Sequence, residues 1–413
     1  TAALMQMLGL LPASSQIPSS VRDLANRLCR ETPSAELHST SWWFLRKHGY
    51  DSNMNNGKIN PAVGYVTDEG QTMMRIPSGV TATVGASPLD HMGLANETRH
   101  DVKVPSDLYF SRGELTRAQL ERFLRDIHDG SNHVARPDER TTMRVGFFTA
   151  AAYCNWLSQR EGIPENQWAY LPNQNGEIGP GMKIAPDHLR RSGYQIPTPD
   201  LWEYACRGNT STPRFYGVGT ELSREYVRWS ATRSDPRGHN GLRLPNAFGL
   251  FDMLGNSAEW SIGLVDRSMN FPADGRPSPG AGYGRPPGNG IPRDHGFPPG
   301  PNFPQHRDFL RVPANQRFSN RAPASFADDK RGPRNLSGMR QAPENRRAGL
   351  AFGGGPLLLE AAGKKIQENN LFVVLGGAFD SPAHKIRSSD RSIISPPITN
   401  KPLTLRLMRI RKR

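Results

Sequence analysis

Cysteine is scarce. Cys29, Cys154 and Cys206 are the only three in 413 residues. They give neither a disulfide framework nor metal-ligand spacing, so a disulfide-stapled scaffold and a zinc knot are excluded. Such thiols read as buried and free, which points to a reducing compartment, cytoplasm or organelle matrix. Long hydrophobic runs are absent too: nothing approaches the roughly 18 apolar residues of a membrane-spanning helix. Hydrophobic residues make up only 36% and mean hydropathy is −0.61, while 41 Gly and 36 Pro exceed the usual share, so part of the chain lies outside a packed core. There is no nucleophile elbow, no phosphate loop and no H-E-x-x-H. The eleven histidines are scattered, and His91, His100, His128 and His133 lack the helical spacing of a two-histidine metal site. Opening on Thr1 and AALMQMLGLLPA, the chain reads as a processed or truncated product.

Acidic residues are in deficit, but unevenly. Of the net charge of +14, residues 266–347 hold 14 Lys/Arg against 7 Asp/Glu and residues 385–413 hold 9 against 1, a combined +15 that leaves about −1 elsewhere. The basic character therefore belongs to one insertion and to the C-terminus, which implies an acidic partner or a large assembly. About half of residues 271–305 are Gly or Pro, too many for a core. Arginines recur there among aromatics, and the candidate contact residues are Arg285, Arg307, Arg311, Arg317 and Arg321, with Arg411, Lys412 and Arg413 in the tail. Such interleaving suits a coil lying on nucleic acid or on an acidic protein; a solvated loop is the alternative.

Periodicity supplies the rest of the layout. Val21, Leu24, Ala25 and Leu28 mark one short N-terminal helix, and Leu37 with Trp42 to Leu45 a second. Strands are expected at Tyr65–Val66 and within Met73–Val84. Thr116 and Gln119 form a capping box before a helix, and a second helix runs from about Thr149 to Arg160 with Gly162 as its stop. Thr198 caps a third, with Pro199 at its first position. Trp156, Trp202 and Trp260 read as core anchors. Leu357–Asn369 reads as a short helix, and Leu403, Leu405 and Leu407 alternate as a closing strand.

The chain is organised around Asn246 to Trp260, NAFGLFDMLGNSAEW. Gly249 and Gly255 supply turns around a short apolar run, while Asn246, Asp252, Asn256 and Glu259 bring hard oxygens into it. Those oxygens either hold calcium or cap turns.

This stretch resembles the N-G-x-G-L-x-D-M-x-G-N-V-x-E-W signature of the formylglycine-generating-enzyme, or sulfatase-modifying-factor, domain. Other blocks recur in order: TMMRIPSGVTATVG at Thr72–Gly85, Asn96-Glu97 with His100 and Val102, Glu114-Leu115-Thr116 with Gln119 and Phe123, AYCNWLS at Ala152–Ser158, IPTPDLWEYACRG at Ile196–Gly208, and LGGAFD at Leu375–Asp380 with Arg387 and Arg391. The resemblance covers about residues 62–265 and 371–409. It implies an α+β, C-type-lectin-like formylglycine-generating-enzyme fold with low regular secondary structure, here carrying a short helical N-terminal segment and a long Pro/Gly-rich insertion. The expected divisions are 1–60 (helical extension and linker), 61–265 (core), 266–370 (Pro/Gly/Arg-rich insertion) and 371–413 (end of the core with a basic tail).

The resemblance also implies chemistry. Catalytic members hold copper with a cysteine pair in the closing block, because copper(I) requires soft thiolates. Here that block reads GGAFDSPAHKIRSSDRSIISPP and has no cysteine, so copper is not expected. Asn256 and Glu259 match positions that help hold a structural calcium in the family, whereas a further calcium site falls near Thr232 and is lost. The resulting expectation is a non-catalytic binding or scaffold module. The alternatives are a metal-dependent oxidase or peptide-modifying enzyme with a divergent site, and an RNA-associated subunit of a large complex.

Overall fold

The computed structural model describes residues 2–13, 15–50, 59–94, 96–127, 142–232, 239–265, 358–360, 362–367, 369–394 and 403–411. The N-terminal segment forms α1 (Ala2–Gly9), α2 (Ser19–Glu31) and α3 (Ala35–Lys47). Then follow β1 (Gly64–Val66), β2 (Thr72–Arg75), β3 (Thr81–Val84), β4 (His100–Lys103), β5 (Leu108–Ser111), α4 (Arg117–Ile127) and α5 (Phe147–Arg160). After β6 (Tyr170–Leu171), β7 (Lys183–Ile184) and β8 (Tyr194–Gln195) come α6 (Pro199–Arg207) and β9 (Ala258–Val265). The chain ends with β10 (Leu358–Glu360), β11 (Leu371–Leu375), β12 (Arg391–Ile394), β13 (Leu403–Thr404) and β14 (Met408–Ile410). This is an α+β fold of short elements.

Two larger sheets carry it. One has the strand order β1-β2-β5-β14-β8; the other runs β10-β9-β11-β12, with β13 parallel to β9. The C-terminal strand β14 is thus an inner strand, antiparallel to β5 through Met408↔Phe110 and to β8 through Arg409↔Tyr194. The alternating leucines do close the core: Leu403, Leu405 and Leu407 are all buried, and their carbonyls accept from Val145, Leu115 and Ser111 amides. The polar residue between two of them is buried as well, since Arg406 has no exposed surface.

Local signals explain the helices. Thr116 and Gln119 exchange the two bonds of a capping box, at 3.0 and 3.4 Å. Thr198 Oγ1 accepts from the Leu201 amide, Pro199 occupies the first helical position, and Gly208 ends α6 at φ 55°. The expected helix at Leu357–Asn369 is overturned. Residues 358–360 pair with β9 through Leu358↔Val265, and a bridge at Ala362 and another at Lys365 follow. A short apolar run does not distinguish strand from helix by period, and the open edge of β9 decides for strand.

The N-terminal helices pack directly on the core. Trp43 Nε1 donates to the Leu242 carbonyl at 3.1 Å, Ser39 Oγ donates to that of Gly249 at 2.8 Å, and the Trp42 ring lies 5.2 Å from Phe251. At their base His38 Nδ1 donates to the Cys29 carbonyl at 2.5 Å, so Nε2 accepts from Arg112 at 3.4 Å. Burial first, and the Arg112 charge second, push this imidazole down to about 3. The unfolded chain therefore binds a proton below pH 6.5 that the folded chain refuses until about pH 3, and stability falls as pH drops through that window. In urea melts, the stability of the wild type minus that of His38→Asn should fall by about 2–3 kcal/mol between pH 7 and pH 4. A difference that stays flat would show that the ring protonates freely in the folded chain. Subtracting the variant removes the contribution of every other titrating group.

Candidate functional site

The Asn246–Trp260 turn joins the two sheets, and its polar residues are all committed to protein partners. Asn246 Oδ1 accepts from the Phe248 and Leu250 amides, both at 3.0 Å, while its Nδ2 donates to the last carbonyls of α6, Ala205 at 2.7 Å and Cys206 at 3.1 Å. It closes its own turn and satisfies a helix end together. Asp252 Oδ2 accepts from the Gly241 amide at 2.6 Å. Gly255 has φ 77° with the Arg228 carbonyl 2.2 Å from where a Cβ would stand, so no side chain fits.

The two calcium candidates, Asn256 and Glu259, lie in the last five residues of this turn. Glu259 is fully buried and lies on the Arg406 guanidinium: Nε reaches its two oxygens at 2.9 and 2.8 Å, Nη2 reaches Oε1 at 2.6 Å, and Trp202 Nε1 donates to Oε2 at 2.5 Å. Asn256 Nδ2 donates to Glu114 Oε2 at 2.5 Å and to Thr142 Oγ1 at 3.1 Å, and its Oδ1 accepts from Arg228 Nη1 at 3.4 Å. The oxygens proposed for calcium thus face two guanidiniums, and a divalent cation placed there would meet positive charge. This donor set does not fit calcium. Thr232 Oγ1 is likewise engaged, with the Trp229 amide at 2.9 Å. Among the described residues no group of three His, Cys, Asp or Glu side chains is arranged to hold a metal.

Three buried carboxylates, Glu114, Asp252 and Glu259, gather around the Arg406 guanidinium. Burial, then the charges of Asp252 and Glu259, push the Glu114 carboxyl well up. Burial raises Asp252 as well. For Arg406 burial, the largest influence, opposes the charge, but Glu259, Glu114 and Asp252 together outweigh it and hold the guanidinium above its ordinary range.

The closing block is sealed by a second buried network. Arg387 grips Glu97 with both Nη atoms at 2.6 Å, reaches Asp90 at 2.6 Å, and lies 3.4 Å from Asp390, which also takes Lys385 at 3.3 Å. Ser389 Oγ adds a 2.7 Å bond to Glu97. Burial pushes the Asp390 carboxyl up to about 6 against the pull of Lys385 and Arg387. Next to it, Arg391 bridges Asp200 at 3.0 Å and Glu203 at 3.3 Å, and Glu203 also holds Arg207 at 2.7 Å and the Gly85 amide at 2.7 Å. The thiol that borders the block is Cys206, whose Sγ donates to Ser388 Oγ at 3.7 Å and which burial pushes up to about 12. A thiolate pair for copper does not fit these residues: one raised thiol meets a serine, and no cysteine follows Cys206.

Of the basic candidates, Arg285, Arg307, Arg311, Arg317, Arg321, Lys412 and Arg413 lie outside the described residues. Arg411 is described and exposed, with its guanidinium 5.2 Å above the Tyr65 ring. Glu97, Arg387 and Arg391 stand in recognisable sequence blocks, but nothing in the sequence pairs them, and no local signal marks Arg406.

The sulfatase-modifying factor enzyme 1-like domain family matches residues 62–410. This chain belongs to that family. The chain is 27% identical over 180 residues to "Chaperone protein LppX" of Paenibacillus barcinonensis, a match covering 38% of this chain and 61% of that relative's length. Among solved structures it is similar to Treponema denticola variable protein 1, with a TM-score of 0.50 and 17% identity over 84% of this chain and 97% of that one. PvdO from Pseudomonas aeruginosa has a TM-score of 0.47 at 15% identity, covering 83% and 96%. At these identities the structural likeness concerns the fold alone. No helix among the described residues is long and apolar enough to cross a membrane.

Proposed function

We propose that this sulfatase-modifying factor family member is a binding or scaffold module without the copper chemistry of formylglycine-generating enzymes, held to an acidic partner or large assembly by its basic insertion and tail. The observation that carries it is the closing block. Where catalytic relatives present a thiolate pair, Arg387 is locked onto Glu97 and Asp90, and the neighbouring thiol of Cys206 is buried, raised and hydrogen-bonded to Ser388. A thiol held protonated is a poor metal ligand and a poor nucleophile. The concentration of excess charge in residues 266–347 and 385–413 supports the acidic partner. That a relative bears the name chaperone supports a role in which a protein is bound rather than modified.

The test of the non-catalytic reading is a cysteine peptide carrying the sulfatase motif, incubated with copper-loaded protein and followed by mass. The expected result is an unchanged peptide; protein-dependent conversion to the aldehyde would overturn the reading. The binding half is tested by replacing residues 266–347 with a Gly/Ser linker and Arg411, Lys412 and Arg413 with Gln. Association with the native partner should weaken and depend less steeply on salt, and an unchanged salt slope would overturn it.

A further inference from the structure

One face of the β1-β2-β5-β14-β8 sheet carries a cross-strand row that the family's chemistry does not use. Arg409 on β14 is paired with Tyr109 on β5 and Tyr194 on β8, and Tyr109 is paired with Arg75 on β2, so all four side chains stand on one face. By strand alternation Tyr65 on β1 and Arg411, two residues past Arg409, join them. Arg409 Nη1 donates to the Tyr65 and Tyr194 hydroxyls at 3.1 and 3.2 Å, its Nε donates to the Ser192 carbonyl at 3.0 Å, and the guanidinium lies 4.9 Å from the Tyr194 ring centre. Arg411 lies over Tyr65, whose ring meets the Tyr109 ring edge-on at 5.3 Å.

The charge balance of this row is unusual. Arg75 is neutralised by Asp107 at 3.1 Å, and Glu161 nearby accepts from the Asp68 amide. Among the described residues Arg409 and Arg411 have no carboxylate bonded to them; their partners are phenols, rings and a main-chain carbonyl. Burial pushes the Tyr65 phenol up, so it stays neutral and does not cancel the charge beside it. Among the described residues Arg409 Nη2 carries no hydrogen bond, nor does the exposed Arg411 guanidinium. Two guanidiniums are therefore held against tyrosine rings, Arg409 with Nη2 and Arg411 with its whole N–H fork left over, donors ready for carboxylates.

We propose that Arg409 and Arg411 on this tyrosine platform form a docking site for an acidic polypeptide segment. The choice of polypeptide over single-stranded nucleic acid follows from the rings. Nucleic-acid platforms need bare aromatic faces for bases to stack on. Here Tyr194 is fully buried, Tyr109 nearly so, and Tyr65 is covered by Arg411. What remains available is charge and hydrogen-bond donors. The proposal rests on the acidic-partner reading above and narrows it to residues of the core sheet.

The experiment uses the full chain and a fluorescently labelled decaglutamate peptide, with anisotropy at low salt. Arg409→Gln with Arg411→Gln should weaken binding about tenfold and flatten its salt dependence, while Arg409→Lys, which keeps the charge and loses the planar fork, should fall between. Arg411→Gln alone makes no demand on folding and should weaken binding about threefold at an unchanged melting temperature. Peptide affinity within twofold of wild type in the double variant, or in Arg411→Gln alone if the double variant fails to fold, overturns the proposal. A matched loss for oligo(U) RNA would also overturn it, by making the surface a nucleic-acid platform. If shortening residues 266–347 abolishes peptide binding while the double variant leaves it intact, the acidic-partner reading stands and this site falls.

Discussion

Replacing Arg406 by Met is expected to destabilise the fold by about 3–5 kcal/mol, because it strands a buried carboxylate. Arg406 is fully buried, with three contacts to Glu259 and one each to the Ser111 carbonyl at 2.9 Å and the Phe251 carbonyl at 2.8 Å. It therefore ties the C-terminal strand to β5, to the central turn and to β9. Without it, Glu259 keeps only the Trp202 N–H, and Glu114 and Asp252 lose the Arg406 charge that opposes their burial. Unfolding in urea measures the loss. The decisive comparison is Arg406→Met with Glu259→Leu, which removes both charges and should recover a large part of it. If the double variant is as unstable as the single one, the cost lies in the lost main-chain bonds and the ion pair is incidental. A loss below about 1 kcal/mol in the single variant would mean that water reaches Glu259.

This pair also marks where the sequence stops being legible. Capping boxes, proline at a helix start and glycine at its end are signals within about one turn of chain, and at Thr116, Thr198 and Gly162 they are legible because no distant contact competes with them. Glu259 and Arg406 are 147 residues apart, and Glu97 and Arg387 are 290 apart. No periodicity encodes such pairings. Alternation assigns Arg406 to an outer face, yet the segment between β13 and β14 is covered there by the central turn, so the arginine is buried with its counter-ion. The same blindness produced the calcium expectation. Oxygen-bearing side chains on a glycine turn look alike whether a metal or a guanidinium completes them, and only the fold supplies Arg406 and Arg228. The segment at 358–360 failed for another reason: its apolar run suits either helix or strand, and the free edge of β9 is invisible in sequence.

Trp260→Ala is expected to cost about 3–5 kcal/mol, comparable to Arg406→Met but by a different mechanism. The indole is almost wholly buried on β9, opposite Val374 of β11. Phe147 and Phe372 pack against it edge-on at 5.7 and 6.0 Å, so its removal opens a cavity bounded by two other rings and the backbone of a central strand. Such walls close poorly, and the lost dispersion contacts are not replaced. The Val145 carbonyl, which accepts from Nε1 at 2.8 Å, is left without its donor at the start of α5. Trp260→Phe separates the two contributions: it refills most of the cavity but not the hydrogen bond, and should cost about 1–2 kcal/mol. Denaturant melts of both variants at unchanged m-value give the comparison. Equal losses would place the energy in the Val145 bond, and a loss under about 1 kcal/mol for the alanine variant would show that the core around Phe147 collapses onto the gap.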